Sequence, residues 1–170
     1  PQLISKFAMG AVSYNQAVDS YLDEKLAAGT KPRDEALTIV TNGGGIGVMA
    51  SDCLVERGGE LAQFSDETLS ALDAVMPEGW ARGNPIDLGG FADPELYGAV
   101  LDVLAAQRTN GSVLVLHGPT NEQHSQEVAS IVADRAHKHR KQTVLTSWLG
   151  AEAAQAARRL FHDNRIPAPP

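Results

Sequence analysis

At 170 residues the chain has the length of one domain whose core needs neither disulfides nor a metal to hold it. Fourteen lysines and arginines against 21 acidic residues leave a formal charge of −7, which argues against nucleic acid or an anionic membrane as the main partner, because both are held by a positive field. A single cysteine, Cys53, excludes an internal disulfide framework. No apolar run approaches the ~20 residues that span a bilayer, no basic-then-apolar signal pattern opens the chain, and a cytoplasmic location is expected.

The first 35 residues read differently from the rest. Val12 to Ala28 carries apolar Val18, Leu22 and Leu26 at a spacing of four and ends at Gly29, which predicts a helix. Thr30 to Asp34 is a polar linker with Pro32. Residues 1–35 are therefore expected to be a lead-in helix and linker, or the tail of a preceding domain.

From Ala36 the pattern becomes regular. Leu37-Thr38-Ile39-Val40 predicts a buried strand that runs into the glycine cluster Gly43-Gly44-Gly45-Ile46-Gly47. A helix is expected from about Val48 to Arg57, stopped by Gly58-Gly59. Glu60 to Phe64 reads as a short strand, and Ser65 as the N-cap of a helix reaching about Val75. Met76 to Phe91, with four glycines and two prolines, reads as loop. Asp93-Pro94 places a capping residue before a proline at the first helical position and predicts a helix to about Gln107. Thr109-Asn110-Gly111 turns the chain into a strand at Ser112 to Leu116. A helix from Glu122 to His139, a strand from Gln142 to Thr146 and a helix from Ala151 to Asn164 complete the series. The basic run His137-Lys138-His139-Arg140-Lys141 falls at a helix end, where cations suit the negative pole of the dipole. Ile166-Pro167-Ala168-Pro169-Pro170 reads as the way out into a longer protein, with residues 36–166 as the domain and 167–170 as linker.

Strands alternating with helices of ten or more residues predict an α/β fold with a parallel sheet covered on both faces. Ligands of such sheets sit at the carboxyl ends of the strands. That singles out the loops Thr41 to Gly47, Pro85 to Gly90, His117 to Asn121 and Ser147 to Gly150. The first could be an anion site, since a glycine turn from strand into helix presents backbone N–H groups, or simply a tight turn. It matches neither common fingerprint. The dinucleotide pattern begun at Gly43 needs glycine where Val48 stands, and the P-loop needs Lys-Ser or Lys-Thr where Val48-Met49 follow Gly47. Asn84-Pro85-Ile86-Asp87-Leu88-Gly89-Gly90 is likewise either a plain turn or a site. His117 closes a buried strand and is a candidate acid or base; the alternative is a histidine satisfied by the backbone. His124, His137, His139 and His162 fall on helices and are expected to face solvent, with no metal-ligand spacing among them. Cys53 is expected to be a small apolar residue of a helix rather than a nucleophile.

Taken together, the motifs resemble those of the nucleoside-diphosphate-forming acyl-CoA synthetases, relatives of succinyl-CoA synthetase. Thr41-Asn42-Gly43-Gly44-Gly45-Ile46-Gly47 followed by Asp52 is similar to the family's TNAGGxG…D signature, and Asn84-Pro85-Ile86-Asp87-Leu88 to its NPxDL element. Gly58-Gly59-Glu60-Leu61, Ser65-Asp66-Glu67-Thr68, Leu72 and Pro77 continue the likeness. Trp148-Leu149-Gly150, Ala157-Arg158-Arg159-Leu160 and Ile166-Pro167 resemble its ending, so the match covers about residues 36 to 168. Trp80 to Pro85 and Thr146 to Gly150 look closest to a branch fused to a GNAT protein-lysine acetyltransferase.

The resemblance implies a three-layer, flavodoxin-like parallel sheet of the type found at the C-terminus of the succinyl-CoA synthetase β subunit. It implies a parent enzyme that interconverts acid, CoA and ATP with acyl-CoA, ADP and phosphate through an acyl phosphate and a phosphohistidine. CoA, ATP or ADP and Mg would bind other domains or subunits (a CoA-binding domain, a phosphohistidine domain and an ATP-grasp domain), and this domain alone would hold no cofactor and turn nothing over. By motif, Asn42, Gly43 and Gly44 would line the acyl or phosphate pocket, Leu88, Gly89 and Gly90 would face the phosphohistidine, and Gly45 and Asp87 would join them as phosphate- or substrate-binding residues. The family's SHTG run is not found, and Lys6-Phe7-Ala8-Met9-Gly10, nearest to it by position, has no histidine. That departure sustains an alternative: a non-catalytic, acyl-CoA- or nucleotide-sensing domain that regulates a lysine acetyltransferase. Homo-oligomerisation is left open.

Overall fold

Six β-branched and apolar residues form β1 (Ala36–Thr41), and all but the first are buried. β4 (Ser112–His117) lies along one edge of it, in parallel register from Leu37 opposite Ser112 to Thr41 opposite Leu116. β5 (Thr143–Trp148) pairs in turn with β4, from Ser112 opposite Thr143 to His117 opposite Trp148. Two dipeptide strands share the other edge of β1. β2 (Glu60–Leu61) pairs with Ala36 and Leu37, and β3 (Ile86–Asp87) pairs with Val40 and Thr41. This computed structural model describes residues 36–107, 111–150 and 153–168. The expected helix at Val12 to Ala28, its linker, Lys6 to Gly10, and the Thr109-Asn110 turn lie outside the described residues.

Two cores, one on each face, follow from strand alternation. Leu37, Ile39, Leu114, Leu116 and Leu145 point to one side and pack against Ala50, Cys53 and Leu54 of α1 (Gly44–Glu56). Val40, Val113, Val115 and Val144 point to the other. There they meet α3 (Pro94–Ala106), α4 (Glu122–Lys138) and α5 (Ala153–Asp163) through Tyr97, Val128, Val132 and Phe161, with α2 (Asp66–Asp73) alongside. The result is a three-layer, parallel α/β sheet, as the motifs implied. After β1 the chain moves to one edge with α1 on one face; after β3 and β4 it moves the opposite way with α3 and α4 on the other. Right-handed crossovers require that change of face. The point where the two directions diverge lies between the carboxyl ends of β1 and β4.

The caps expected at Ser65 and Asp93 form, and Asn121 adds a third. The side chains of Ser65, Asp93 and Asn121 accept from the N–H groups of Thr68, Leu96 and His124 at the starts of α2, α3 and α4. Cys53 is buried against the α1 core, as expected.

Several boundaries differ, each for a physical reason. α1 begins at Gly44 rather than Val48, so three of the glycines form its first turn. Glycine is a poor helix former, but Gly47 is pressed where a Cβ would stand 3.0 Å from Thr41 Cγ2 and 3.1 Å from Pro85 Cβ. β3 was hidden within the loop-rich passage because two residues carry no periodic signal. β2 stops at Leu61, well short of Phe64. Pro167 and Ala168 belong to the fold rather than to a linker: the Pro167 carbonyl accepts from Thr146 N at 2.9 Å and Thr146 Oγ1 at 3.0 Å, covering the free edge of β5.

Asn84 fills the gap between β2 and β3. Its Oδ1 accepts from Ile39 N at 3.0 Å, and its Nδ2 donates to Leu37 O at 2.8 Å and Ala62 O at 3.1 Å. A side-chain amide thus continues the ladder where no strand residue is present. The peptide joining Asn84 to Pro85 is cis.

His139, expected to face solvent, instead joins Arg135 and Lys138 around Asp102 of α3. Burial works against the Asp102 carboxylate, but hydrogen bonds from His139, Lys138 and Arg135 outweigh it and hold its pKa down at about 2. His137 Nε2 likewise has a partner, Asn164 Oδ1 at 3.0 Å, while His162 is exposed.

Candidate functional site

Both glycine motifs arrive at the divergence point. β3 is hydrogen-bonded to the end of β1, and Leu88 N donates to Thr41 O at 2.7 Å, so the turn at Gly89 and Gly90 lies directly beside the turn at Asn42 and Gly43. The Cβ position of Gly90 is 4.0 Å from the Asn42 carbonyl oxygen, and that of Gly44 is 2.6 Å from Asp87 Oδ2. A Cβ at Gly44 would require the exposed Asp87 carboxylate to swing aside. Gly89 has φ +83°, the left-handed region where glycine is unstrained, and its N–H donates to Asp87 Oδ1 at 3.0 Å.

Asn42 is buried to 7% exposure, and its orientation is fixed by one bond. Gly118 N donates to Asn42 Oδ1 at 2.6 Å, joining the end of β1 to the end of β4 across the divergence point. An N–H needs an acceptor, so the oxygen of the carboxamide must face Gly118. The Nδ2 group of Asn42 then remains a donor with no protein partner among the described residues. Beside it, α1 starts without a side-chain cap and without an acidic residue in its first turn. Its leading N–H groups and the positive end of its dipole face the same turn.

Of the other expected site residues, Gly43 caps α1 in an extended conformation, with its N–H on Thr41 Oγ1 at 3.1 Å. Gly45 is exposed. The side chain of Leu88 is 4% exposed and packs into the core, so its main chain is what it presents at the rim. Phe91, next to Gly90, is fully exposed, and Val48 on α1 is 56% exposed.

His117 is the last residue of β4 rather than a loop residue, and it is wholly buried. Its partners are side chains, not the backbone: Nδ1 is 3.0 Å from Tyr97 Oη and Nε2 is 3.0 Å from Thr120 Oγ1. The ring stacks on Trp148 at 4.9 Å and lies 5.8 Å from the ring of His124, which is half-buried rather than solvated. Desolvation first, and the neighbouring His124 second, push its pKa from 6.5 down to about 4, so the ring is neutral near pH 7. Desolvation raises the Tyr97 phenol above its ordinary range, and the Asp87 charge adds to that. Sequence reasoning singled out neither Gly118 nor Tyr97. Gly118 was one residue inside a loop flagged only by position, and Tyr97 looked like any other apolar residue of an amphipathic helix.

Among the described residues no cluster of three or more histidine, cysteine, aspartate or glutamate side chains could hold a metal ion. No helix of the described residues is long and apolar enough to cross a membrane.

Two glycine turns meeting at the end of a parallel sheet define an α/β domain with one rim where its chain paths part, and comparison with known proteins identifies the family. A family model for the Ligase-CoA domain matches residues 37–170. The chain belongs to this family, that of the nucleoside-diphosphate-forming acyl-CoA synthetases. It is 36% identical over 142 residues to the alpha subunit of acetate–CoA ligase (ADP-forming) I of Pyrococcus furiosus, covering 82% of this chain and 30% of the relative. It is 26% identical over 136 residues to the 4-hydroxybutyrate–CoA ligase (ADP-forming) of Nitrosopumilus maritimus, covering 80% of this chain and 19% of that enzyme. Among solved structures, PH0766 from Pyrococcus horikoshii OT3 superposes with a TM-score of 0.74 at 26% identity, over 81% of this chain and 32% of that one. The chain therefore spans about a third or less of the length of the relatives it matches.

Proposed function

We propose that the chain is the domain of an ADP-forming acyl-CoA synthetase that seats a phosphoryl or carboxyl oxygen at the divergence point of its sheet. The observation that carries this reading is the unpartnered Nδ2 of Asn42, held beside the uncapped start of α1 and the Gly89-Gly90 turn. Such a donor set fits an oxyanion: N–H groups without acceptors, fixed in place before the ligand arrives. In this reading CoA, ATP and magnesium fall to other domains or subunits of the parent protein, which fits a relative that is itself named an alpha subunit. The exposed Phe91 and Val48 at the same rim fit a surface that such a neighbour covers. In this reading the glycines keep the main chain bare, so that N–H groups rather than side chains reach the ligand. His117, engaged at both ring nitrogens, is not the acid or base.

The test uses the parent polypeptide with ATP, CoA and a panel of small carboxylic acids that includes acetate and 4-hydroxybutyrate, with ADP and acyl-CoA as products. Asn42→Asp keeps the acceptor for Gly118 N–H, removes the donor and adds a negative charge. It is expected to fold normally and to lose at least about a hundredfold in kcat/KM. Full activity in this variant, or no acyl-CoA formed by the parent with any acid, overturns the proposal.

A further inference from the structure

Beneath the rim, His117 links three elements that approach the divergence point separately. Tyr97 comes from α3, Thr120 from the turn between β4 and α4, and Trp148 from the end of β5. The His117 carbonyl also accepts from Leu149 N at 2.9 Å. The residue immediately after it is Gly118, whose N–H orients Asn42.

Two independent observations fix which ring nitrogen carries the proton. Tyr97 Oη is buried and meets no acceptor other than His117 Nδ1 among the described residues, so its hydroxyl donates there and Nδ1 carries the lone pair. At the far end, Thr120 Oγ1 donates to the Asn121 carbonyl at 3.3 Å, which leaves its oxygen to accept from Nε2–H. The donors therefore run in one direction, from Tyr97 through His117 and Thr120 to Asn121. Asn121 in turn caps α4 through its side chain on His124 N at 2.9 Å.

We infer that His117 is a positioning residue: as the neutral Nε2–H tautomer it locks the Gly118–Asn121 turn, and through Gly118 it keeps the Nδ2 of Asn42 facing the ligand. The oxyanion role of Asn42 is the reading proposed above; the locking of the turn does not depend on it. No proton leaves or reaches the site through this chain of bonds. Protonating the ring would give Nδ1 a hydrogen facing the Tyr97 hydroxyl and force that hydroxyl to turn away in a place with no other acceptor among the described residues. The bond to Tyr97, which fixes the ring on α3, is therefore made only while the ring is neutral.

The experiment has two arms on the 170-residue chain. In the first, the ring of His117 is followed by nitrogen-15 NMR at pH 7 and pH 5. The expected signature is protonated Nε2 with unprotonated Nδ1 at both values. An Nδ1–H tautomer, or a cationic ring at pH 5, overturns the inference. In the second, amide exchange at Gly118 and binding of inorganic phosphate are compared across variants. His117→Phe keeps a ring on Trp148 but no side-chain hydrogen bonds, and Thr120→Val removes the far acceptor together with its own bond to the Asn121 carbonyl. Each is expected to speed Gly118 exchange by about tenfold relative to Ile39 and to weaken phosphate binding by a similar factor. His117→Gln, which retains a donor toward Thr120, is expected to recover most of both. Unchanged Gly118 exchange in Thr120→Val, a variant that does not disturb the core ring, overturns the inference even if His117→Phe fails to fold. If the wild-type chain binds no phosphate, the oxyanion reading fails, while ring tautomer and Gly118 exchange still decide the role of His117.

Discussion

Asn84 is bonded to Ile39 as a neighbouring strand would be, its Oδ1 taking the Ile39 N–H at 3.0 Å while its Nδ2 reaches the carbonyl two residues earlier, at Leu37. One side chain thus bridges two strands too short to meet. Asn84→Ala leaves the Ile39 N–H and the Ala62 carbonyl without these partners and is expected to destabilise the fold by about 2–3 kcal/mol, read from urea unfolding. Asn84→Asp keeps the acceptor but turns a carboxylate oxygen toward two carbonyls, and should be at least as damaging. A stability within 0.5 kcal/mol (roughly the effect of a surface change) in both variants would refute this role.

Gly47 is where the two sequence motifs touch. Its missing Cβ allows α1 to lie against Pro85, with 3.1 Å between that ring and the Cβ position. Alanine improves helix propensity by about 1 kcal/mol, but the Pro85 ring and β1 leave it little room, and overpacking costs about 1–3 kcal/mol. Gly47→Ala is therefore expected to be net destabilising by about 1 kcal/mol in denaturant unfolding. Gly45→Ala, with nothing within 4 Å of its Cβ position, should be neutral or stabilising. The reverse order of the two variants would contradict the packing described.

Asp87 places a carboxylate against Gly44, at the same mouth as Asn42. An arriving anion meets that charge at a separation of some ångströms in a solvated setting, a repulsion of about 1 kcal/mol. Asp87→Asn retains an acceptor for Gly89 N–H and should tighten inorganic phosphate binding about fivefold at low salt, with the gain shrinking as salt rises. Calorimetric titration checks this. Weaker binding in the variant would mean that Asp87 helps to hold the ligand rather than opposing it.

The lowered pKa of His117 has a defined sign in stability. Folded, the ring takes up its proton at about 4; unfolded, near 6.5. Below pH 6.5 the unfolded chain binds the extra proton, so stability declines as pH falls and the loss from this residue is complete near pH 4, reaching about 3 kcal/mol. The stability difference between wild type and His117→Gln, measured by unfolding at several pH values, should shrink across that window. A difference that is flat from pH 7 to pH 4 would show that the ring is not buried neutral.

Much of this architecture could be read from the residues. Alternating β-branched runs and capped helices are local signals, and Ser65, Asp93 and Asn121 were each legible as a cap or as the residue just before a predicted helix. The two glycine motifs were visible as strings, and their resemblance to a family carried the expectation that they meet. What could not be read was non-local. β3 exists only because β1 offers it an edge, and glycine propensity concealed the first turn of α1 because Pro85, distant in sequence, shapes it. The partners of His117 lie on α3, on the following turn and on β5, and no spacing rule connects them. The burial of the Leu88 side chain was not legible either, since a main-chain role and a side-chain role look identical in a motif.

The bond from Gly118 to Asn42 has a mechanical consequence. It closes the floor of the cleft that a parallel sheet opens where its chain paths part, so no ligand can wedge itself down between β1 and β4. Whatever the rim holds must perch on top, with its outer side bare. A seat of that shape grips half a molecule, and leaves the opposite half to be grasped by something else.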